Sequence, residues 1–333
     1  VRVFVTHNPE DAVAYYGRAL PELERLAEVV RNPLDRDLTT RELIDAASEC
    51  EVIVAHRSTP GDAVLFEALP ELVAFLRCAV DTSTIDVDAA SAQSVLIGHA
   101  DKSFVPSTAE LALGLLLSCA RNIAISTVDY AAGGTPPQRS GRQLYGQTAG
   151  IIGYGSIGTY LAELLVGVGM EVLVHDPYVA RSDLDHVLFV EFDTLLREAD
   201  VVFPLAPGEP STVDLIGAEQ LALMKPGSTL INVSRGELLD EEAVADALGR
   251  GHLGALGMDV GRAPDQRPSP ALASMPGVVA TPHLGGLTPE NADAQAASSV
   301  EQVAAMVAGD MPPRVLNPES AGRLRALWSP DTP

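Results

Sequence analysis

The sequence predicts an α/β protein of two domains with mostly parallel sheets. Three observations carry this. Short apolar runs alternate with helical patterns along nearly the whole chain, the rhythm of β–α–β units whose helices cover both faces of a sheet. The length, 333 residues, is enough for two domains each with its own core. A polar, Gly/Pro-rich connection, "AAGGTPPQRSGRQ" (131–143), stands before a second α/β series.

In chain order, "VRVFV" (1–5), "EVIVA" (51–55), "LVAFLRC" (72–78) and "SVLIG" (94–98) read as strands. Between them "LPELERLAEV" and "TTRELIDAAS" read as helices, with Thr39 and Thr40 as N-cap candidates. "STAELALGLLLSCARNIAIS", starting near Ser107, is helical and apolar nearly all round, so it is expected to be buried. The second series runs "TAGIIG", "EVLVHD", "HVLFVE", "DVVFPL", "STLINVS", "LGALGMDV" and "GVVATPH". A last helical pattern spans 289–309 and could pack on either domain.

Composition narrows the function classes. With 47% hydrophobic and 20% charged residues the chain is globular rather than disordered. A net charge of −23 opposes nucleic acid and anionic membranes as partners, so any anion site must be made locally, by arginines or main-chain N–H groups. Lys102 and Lys225 are the only lysines, which leaves little for Schiff-base chemistry. Cys50, Cys78 and Cys119 are scattered and read as reduced core thiols, and no metal site is expected. The N-terminal stretch lacks a charged start followed by an apolar run, and no apolar run reaches the ~18 residues of a membrane span, so a cytoplasmic protein is expected.

The strongest motif is "TAGIIGYGSIGTYLAELLVGVGMEVLVHDP". Gly153, Gly155 and Gly158 form G-x-G-x-x-G between an apolar run and an amphipathic helix. The first glycine permits a tight turn, the second lets a pyrophosphate approach the backbone, and the third lets helix and strand pack closely. The helix N-terminus then offers N–H groups and a positive dipole end. The next strand ends in Asp176, 21 residues after Gly155. An acid there can bind both ribose hydroxyls and repel a 2′-phosphate, which favours NAD over NADP.

Three polar signals follow at strand ends, where ligands of open α/β sheets bind. They are Ser234-Arg235-Gly236 after "STLINV", Asp259 after "GALGM", and His283 after "GVVATP". An arginine fork can hold a carboxylate and polarise the adjacent carbonyl. A histidine can exchange a hydroxyl proton.

"GQTAGIIGYGSIG", "MKPGSTLINVSRGELLDEEAVADAL", "GALGMDV" and "ATPHLGG", with the weaker "IDVDAAS" and "STAELALGLLL", resemble the D-isomer-specific 2-hydroxyacid dehydrogenases over roughly residues 50–290. That resemblance implies two Rossmann-like or flavodoxin-like domains with the active site in the cleft between them. The substrate domain would be discontinuous, 1–98 and 287–333, and the NAD-binding domain would span 99–286. By the same resemblance Arg235 binds the substrate carboxylate and carbonyl, and His283 is the general acid/base. Ser156 and Ile157 would lie against the pyrophosphate, Pro207 and Thr212 near the adenosine half, and Asp259 at the nicotinamide end. Val233, Ser234 and Gly285 complete the expected cofactor contacts. Arg57 and the loop residues Ala79, Val80 and Asp81 would face the substrate. A homodimer, formed through the helix around 107–122, is expected from the family.

The pattern breaks in places. The family usually has Glu-Pro about five residues beyond the strand-end Asp, the Glu pairing with the catalytic His. Here Pro264 stands at that place and Asp265 follows, so Asp265 is expected to reach His283 and keep it oriented and more basic. Asp81 stands where Gly is common, and Phe104 and Val105 replace a polar pair. The expected activity is NAD-dependent hydride exchange with C2 of a small 2-oxo or 2-hydroxy acid. The alternatives are an NAD(H)-sensing protein with vestigial catalysis, and oxidation of another small anion such as formate.

Overall fold

A computed structural model describes residues 1–328. It resolves into two compact units: Val1–Ser103 together with the segment from Pro289, and Phe104–Thr288.

The first unit holds β1 (Arg2–Val5), β2 (Glu28–Arg31), β3 (Val52–Ala55), β4 (Ala74–Arg77) and β5 (Leu96–Gly98). All neighbours pair in parallel in the order β2-β1-β3-β4-β5. Alternate side chains feed opposite cores: Val3, Val5, Val52 and Val54 on one face, Phe4, Ile53 and Ala55 on the other. A strand buried on both faces needs that near-continuous apolar run. The helix Thr40–Ala46 starts in a capping box, Thr39 and Glu42 each receiving the other's main-chain N–H. The helical reading of "LPELERLAEV" runs too far: the helix is Leu20–Leu26 and β2 begins at Glu28. Here Val29 and Val30 pair with β1 rather than continuing the helical stripe.

The helix Pro289–Ala308 belongs to the first unit, where Ala296, Val300, Val303 and Met306 join one core. The Tyr16 hydroxyl lies 2.6 Å from the Ser299 hydroxyl. Asn317 fastens the following tail to β5, accepting from Ile97 N at 2.9 Å and donating to Val95 O at 3.0 Å.

The second unit holds β6 (Thr148–Ile152), β7 (Glu171–His175), β8 (Val187–Phe189), β9 (Val201–Pro204), β10 (Ser228–Asn232), β11 (Leu253–Met258) and β12 (Val278–Ala280). They form one parallel sheet, β12-β11-β10-β9-β6-β7-β8. Successive strands lie to one side of β6 and then to the other, so the order reverses between β6 and β9. Ligands of such sheets bind at the carboxyl ends of the strands flanking that reversal.

The long apolar helix is in fact two, Val105–Arg121 and Ile123–Ala131, bent by 72° at Asn122, whose left-handed backbone (φ 55°) breaks the ladder. Ala109, Ala112, Leu115 and Leu116 are buried, but Ile123, Ile125, Val128 and Tyr130 are exposed, so burial of the whole pattern is not what the structure shows. Among the described residues no single helix is long and apolar enough to cross a membrane.

Candidate active site

Six strand ends of the second unit, those of β6, β7, β9, β10, β11 and β12, carry the expected residues. Behind β6, Gly153 takes φ 100°, and a Cβ there would sit 2.9 Å from the Leu205 carbonyl. Only glycine combines that backbone with that approach. A Cβ on Gly158 would lie 2.3 Å from Gly153 O, so this glycine is what lets the helix Ser156–Gly167 sit against the turn. Gly155, the N-cap of that helix, is different: a Cβ there would meet nothing within 4 Å. The space above it is therefore not used for packing, which is what a diphosphate approaching the backbone needs. Ser156 opens the helix beside it, and Ile157 packs partly into the core.

Asp176 follows β7 and holds this turn. Its carboxylate accepts from Tyr154 N at 2.7 Å, Tyr178 N at 2.8 Å and Val179 N at 3.0 Å. Burial pushes its pKa upward, but those three N–H groups outweigh that and hold it below the usual carboxylate value. An ionised acid is thereby set beside the glycine turn.

On the other side of the reversal, the loop after β9 carries Pro207, Gly208 and Thr212. The Thr212 hydroxyl donates to Pro207 O at 2.6 Å and accepts from Glu209 N at 3.0 Å, closing the loop. Ser234, after β10, donates to Ala206 O at 2.9 Å and ties the two loops together. Val233 has its side chain in the core, 5% exposed, so toward a ligand it offers main chain.

Arg235 is set by Asn232, which sequence reasoning missed. Fully buried, Asn232 accepts from Ser234 N at 3.1 Å and donates to Arg235 O at 2.8 Å. The available signal is an Asn at a strand end two residues before a turn, where its side chain mimics backbone. The Arg235 side chain passes over Gly208, where a Cβ would lie 2.9 Å from its Cγ, and Nη1 donates to Ser234 O at 2.9 Å. Behind it Gly236 and Gly261 are back to back, a Cβ on Gly236 falling 2.2 Å from the Gly261 carbonyl. Arg262 donates to Leu239 O at 3.0 Å and pairs with Asp214, so it braces this corner.

Asp259 ends β11 and is 1% exposed. Its carboxylate accepts from Thr281 Oγ1 at 2.6 Å, Leu284 N at 2.7 Å and Gly285 N at 2.8 Å. Expected beside the nicotinamide, the Asp259 carboxylate is engaged in shaping the loop that carries His283. Gly285 is tightly packed: a Cβ would sit 3.1 Å from Asp259 Oδ2 and 3.3 Å from Thr108 Oγ1. His283 itself takes a left-handed backbone, φ 62°, with its N–H donating to Asp259 O at 3.0 Å. A non-glycine residue at positive φ is strained and persists where its surroundings over-determine it.

The ring of His283 meets Asp265 in a way sequence reasoning does not foresee. Its Nδ1 lies 2.9 Å from the main-chain carbonyl oxygen of Asp265. Asp265 and Gln266 both take left-handed backbones, φ 59° and 53°, and turn that carbonyl toward the ring. The carboxylate of Asp265 lies 3.8 Å from Arg267 Nε. The partner expected from the side chain is supplied by the backbone.

In the first unit, Arg57 follows β3 and Ala79–Asp81 follow β4, again at carboxyl ends. The Asp81 carboxylate folds back to accept from Ser83 N at 2.9 Å. Arg77, 1% exposed, donates to Thr59 O at 2.7 Å and Thr84 Oγ1 at 3.0 Å beneath these loops.

A glycine turn at a topological reversal, with an acid ending the next strand, defines a dinucleotide-binding α/β protein. Residues 113–285 match the family model "D-isomer specific 2-hydroxyacid dehydrogenase, NAD binding domain". The D-3-phosphoglycerate dehydrogenase of Mycobacterium leprae is 37% identical over 278 residues, 83% of this chain but 52% of that protein. The glyoxylate reductase of Korarchaeum cryptofilum is 31% identical over 96% of both chains. The crystal structure of a Thermus thermophilus protein superposes with a TM-score of 0.82 at 30% identity, covering 95% of this chain and 100% of that one. The chain belongs to the D-isomer specific 2-hydroxyacid dehydrogenase family, and its dinucleotide is NAD. It spans about half the length of the phosphoglycerate dehydrogenases it matches.

Proposed function

We propose that this protein is an NAD-dependent oxidoreductase of a small 2-oxo or 2-hydroxy acid. The observation that carries the reading is the His283 ring. With Nδ1–H donating to the Asp265 carbonyl, Nε2 is the nitrogen left to take or give a proton. Bound NAD supplies hydride exchange with C2 of the substrate. His283 Nε2 receives the hydroxyl proton as the alcohol is oxidised and returns it when the 2-oxo acid is reduced. Arg235, anchored by Asn232 and running over Gly208, clamps the carboxylate and polarises the carbonyl. Asp259 holds the loop that sets the His283 ring.

Within the cofactor set, Gly153, Gly155, Ser156, Ile157 and Gly158 take the pyrophosphate, and Asp176 the ribose hydroxyls. Pro207 and Thr212 take the adenosine side, with main-chain groups of Val233, Ser234 and Gly285 completing the contacts. From the first unit, Arg57 and the N–H groups of Ala79, Val80 and Asp81 are assigned to the substrate anion. The exposed apolar row Ile123, Ile125, Val128 and Tyr130 supports a homodimer. Three free thiols, Cys50, Cys78 and Cys119, suit the reducing cytoplasm.

The test follows NADH absorbance with glyoxylate, hydroxypyruvate, pyruvate, phosphohydroxypyruvate and longer 2-oxo acids. Turnover of at least one, lost in His283→Ala and Arg235→Ala, is the expected result. NADH binding without turnover of any would replace this reading with a sensing role, and turnover only of formate or phosphite with oxidation of another anion.

A further inference from the structure

The first unit has its own topological reversal, since β1 is followed outward by β2 on one side and β3 on the other. The carboxyl ends of β1 and β3 deliver His7 and His56 there, and their rings meet edge to face with centroids 4.9 Å apart. Asp11 and Asp37 complete a cluster in which one ligand atom from each of Asp11, Asp37 and His56 lies within 4.8 Å of the others. We propose that Asp11, Asp37 and His56 form a binding site for a divalent transition-metal ion of the zinc class, separate from the NAD-binding unit.

Donor chemistry supports the assignment. One imidazole and two carboxylates form a common ligand set for zinc, cobalt and manganese, with a water in the remaining position. Among the described residues Asp11 and Asp37 form no ion pair with an Arg or Lys; Asp11 is hydrogen-bonded by Asn8 and Asp37 by Ser58. The His7 ring is 3% exposed and its Nδ1 has no hydrogen-bond partner. A buried orphan nitrogen costs free energy, and a metal-bound water is a partner of the right chemistry.

The scaffold is braced for such a site. Thr6 Oγ1 accepts from His56 N at 2.9 Å and pairs with the Thr59 hydroxyl at 2.8 Å. Arg77 donates to the His56 carbonyl from below. Asn8 donates to Asp11 Oδ2 at 2.7 Å, fixing that carboxylate. Ser58 bridges the cluster: its hydroxyl lies 2.8 Å from His56 Nδ1 and donates to Asp37 Oδ2 at 2.7 Å. His56 Nδ1 lies 4.0 Å from Asp11 Oδ2, and all three ligand atoms fall within 4.8 Å of one another. A tetrahedral zinc site with bonds of about 2.1 Å needs about 3.4 Å between ligand atoms. Small side-chain rotations therefore close the set, with the Ser58 bridge released.

Cobalt(II) is the probe, because its visible absorption reports coordination and its binding can be counted. The full chain is expected to take up one equivalent with new visible bands. Asp11→Asn, Asp37→Asn and His56→Gln are each expected to lose it by tenfold or more in affinity. Asp35→Asn, an exposed acid on the same loop, is expected to keep it. Ser58→Ala removes the competing bridge and is expected to tighten binding several-fold. Circular dichroism melts of each variant separate loss of the site from loss of fold. A wild-type protein that binds no cobalt, cobalt retained in all three ligand variants at wild-type melting temperature, or unchanged or weaker binding in Ser58→Ala would each overturn the proposal.

Discussion

The carbonyl oxygen of Asp265 lies 2.9 Å from Nδ1 of His283, and both residues hold left-handed backbones to bring this about. A carbonyl oxygen accepts only, so it selects the tautomer with hydrogen on Nδ1 and leaves Nε2 as the unprotonated nitrogen. Tautomer and ring direction come from the path of the main chain rather than from an acidic side chain.

The first prediction follows directly. Asp265→Asn keeps the carbonyl and tolerates positive φ, so it is expected to retain kcat within about threefold and the Nδ1–H tautomer in nitrogen NMR spectra. Asp265→Pro locks φ near −65°, turns the carbonyl away, and is expected to lower kcat by about tenfold to a hundredfold. Collapse of kcat in Asp265→Asn with the Nδ1–H tautomer lost would show that the carboxylate does the orienting.

The three motif glycines separate packing from binding. At Gly155 a methyl group meets nothing in the protein, so Gly155→Ala is expected to melt like wild type while losing NADH affinity by about tenfold or more. At Gly158 the same methyl strikes Gly153 O, so Gly158→Ala is expected to lose stability, by about 1–3 kcal/mol. Denaturant melts and NADH fluorescence titrations on both variants check the contrast.

These contrasts also mark which features the amino-acid sequence makes legible. Gly153, Gly155, Gly158 and Asp176 are readable because their roles are local: a strand, a turn, a helix and the next strand in register. Arg235 and His283 are readable as polar residues closing apolar runs. The Asp265 carbonyl is not, because every residue has a carbonyl and its direction depends on φ and ψ. Side chains alone point to the carboxylate. Asp259 is hard to read for a related reason: an acid ending a strand looks available, but its capture by Thr281, Leu284 and Gly285 is a folded-state fact. β2 hides inside a helical pattern because "EVVR" has no turn residue before it, and pairing with β1 overrides the helical period.

Asp176 is expected to govern cofactor choice and the order of the glycine turn together. Asp176→Ser removes the charge that repels a 2′-phosphate, so the NADPH-to-NADH ratio of kcat/KM should rise, by about tenfold or more. It also takes away the acceptor for Tyr154 N–H. Since the folded pKa of Asp176 is depressed, its contribution to stability is present above the unfolded value, near 3.9, and is lost as pH falls through the folded value below that. Melts between pH 5 and pH 3 should therefore show a steeper decline for wild type than for Asp176→Asn.

His7 gives the opposite titration, over a wider window. Burial holds its folded pKa at about 3, against 6.5 for an ordinary imidazole. Between those values the unfolded chain binds a proton that the folded chain does not, so the neutral ring makes the fold less stable as pH drops. Above pH 6.5 both states are deprotonated and the effect vanishes. Within the window one such group contributes a slope of up to about 1.4 kcal/mol per pH unit. Urea midpoints of the wild-type protein should fall as pH drops from about 6.5 to about 5, after allowance for the acid-rich surface. His7→Phe fills the same space beside Tyr16 and His56 without a titratable nitrogen, and should flatten that part of the dependence. An identical slope in both proteins would mean that His7 is protonated in the fold, and that the ring has a partner this structure does not give it.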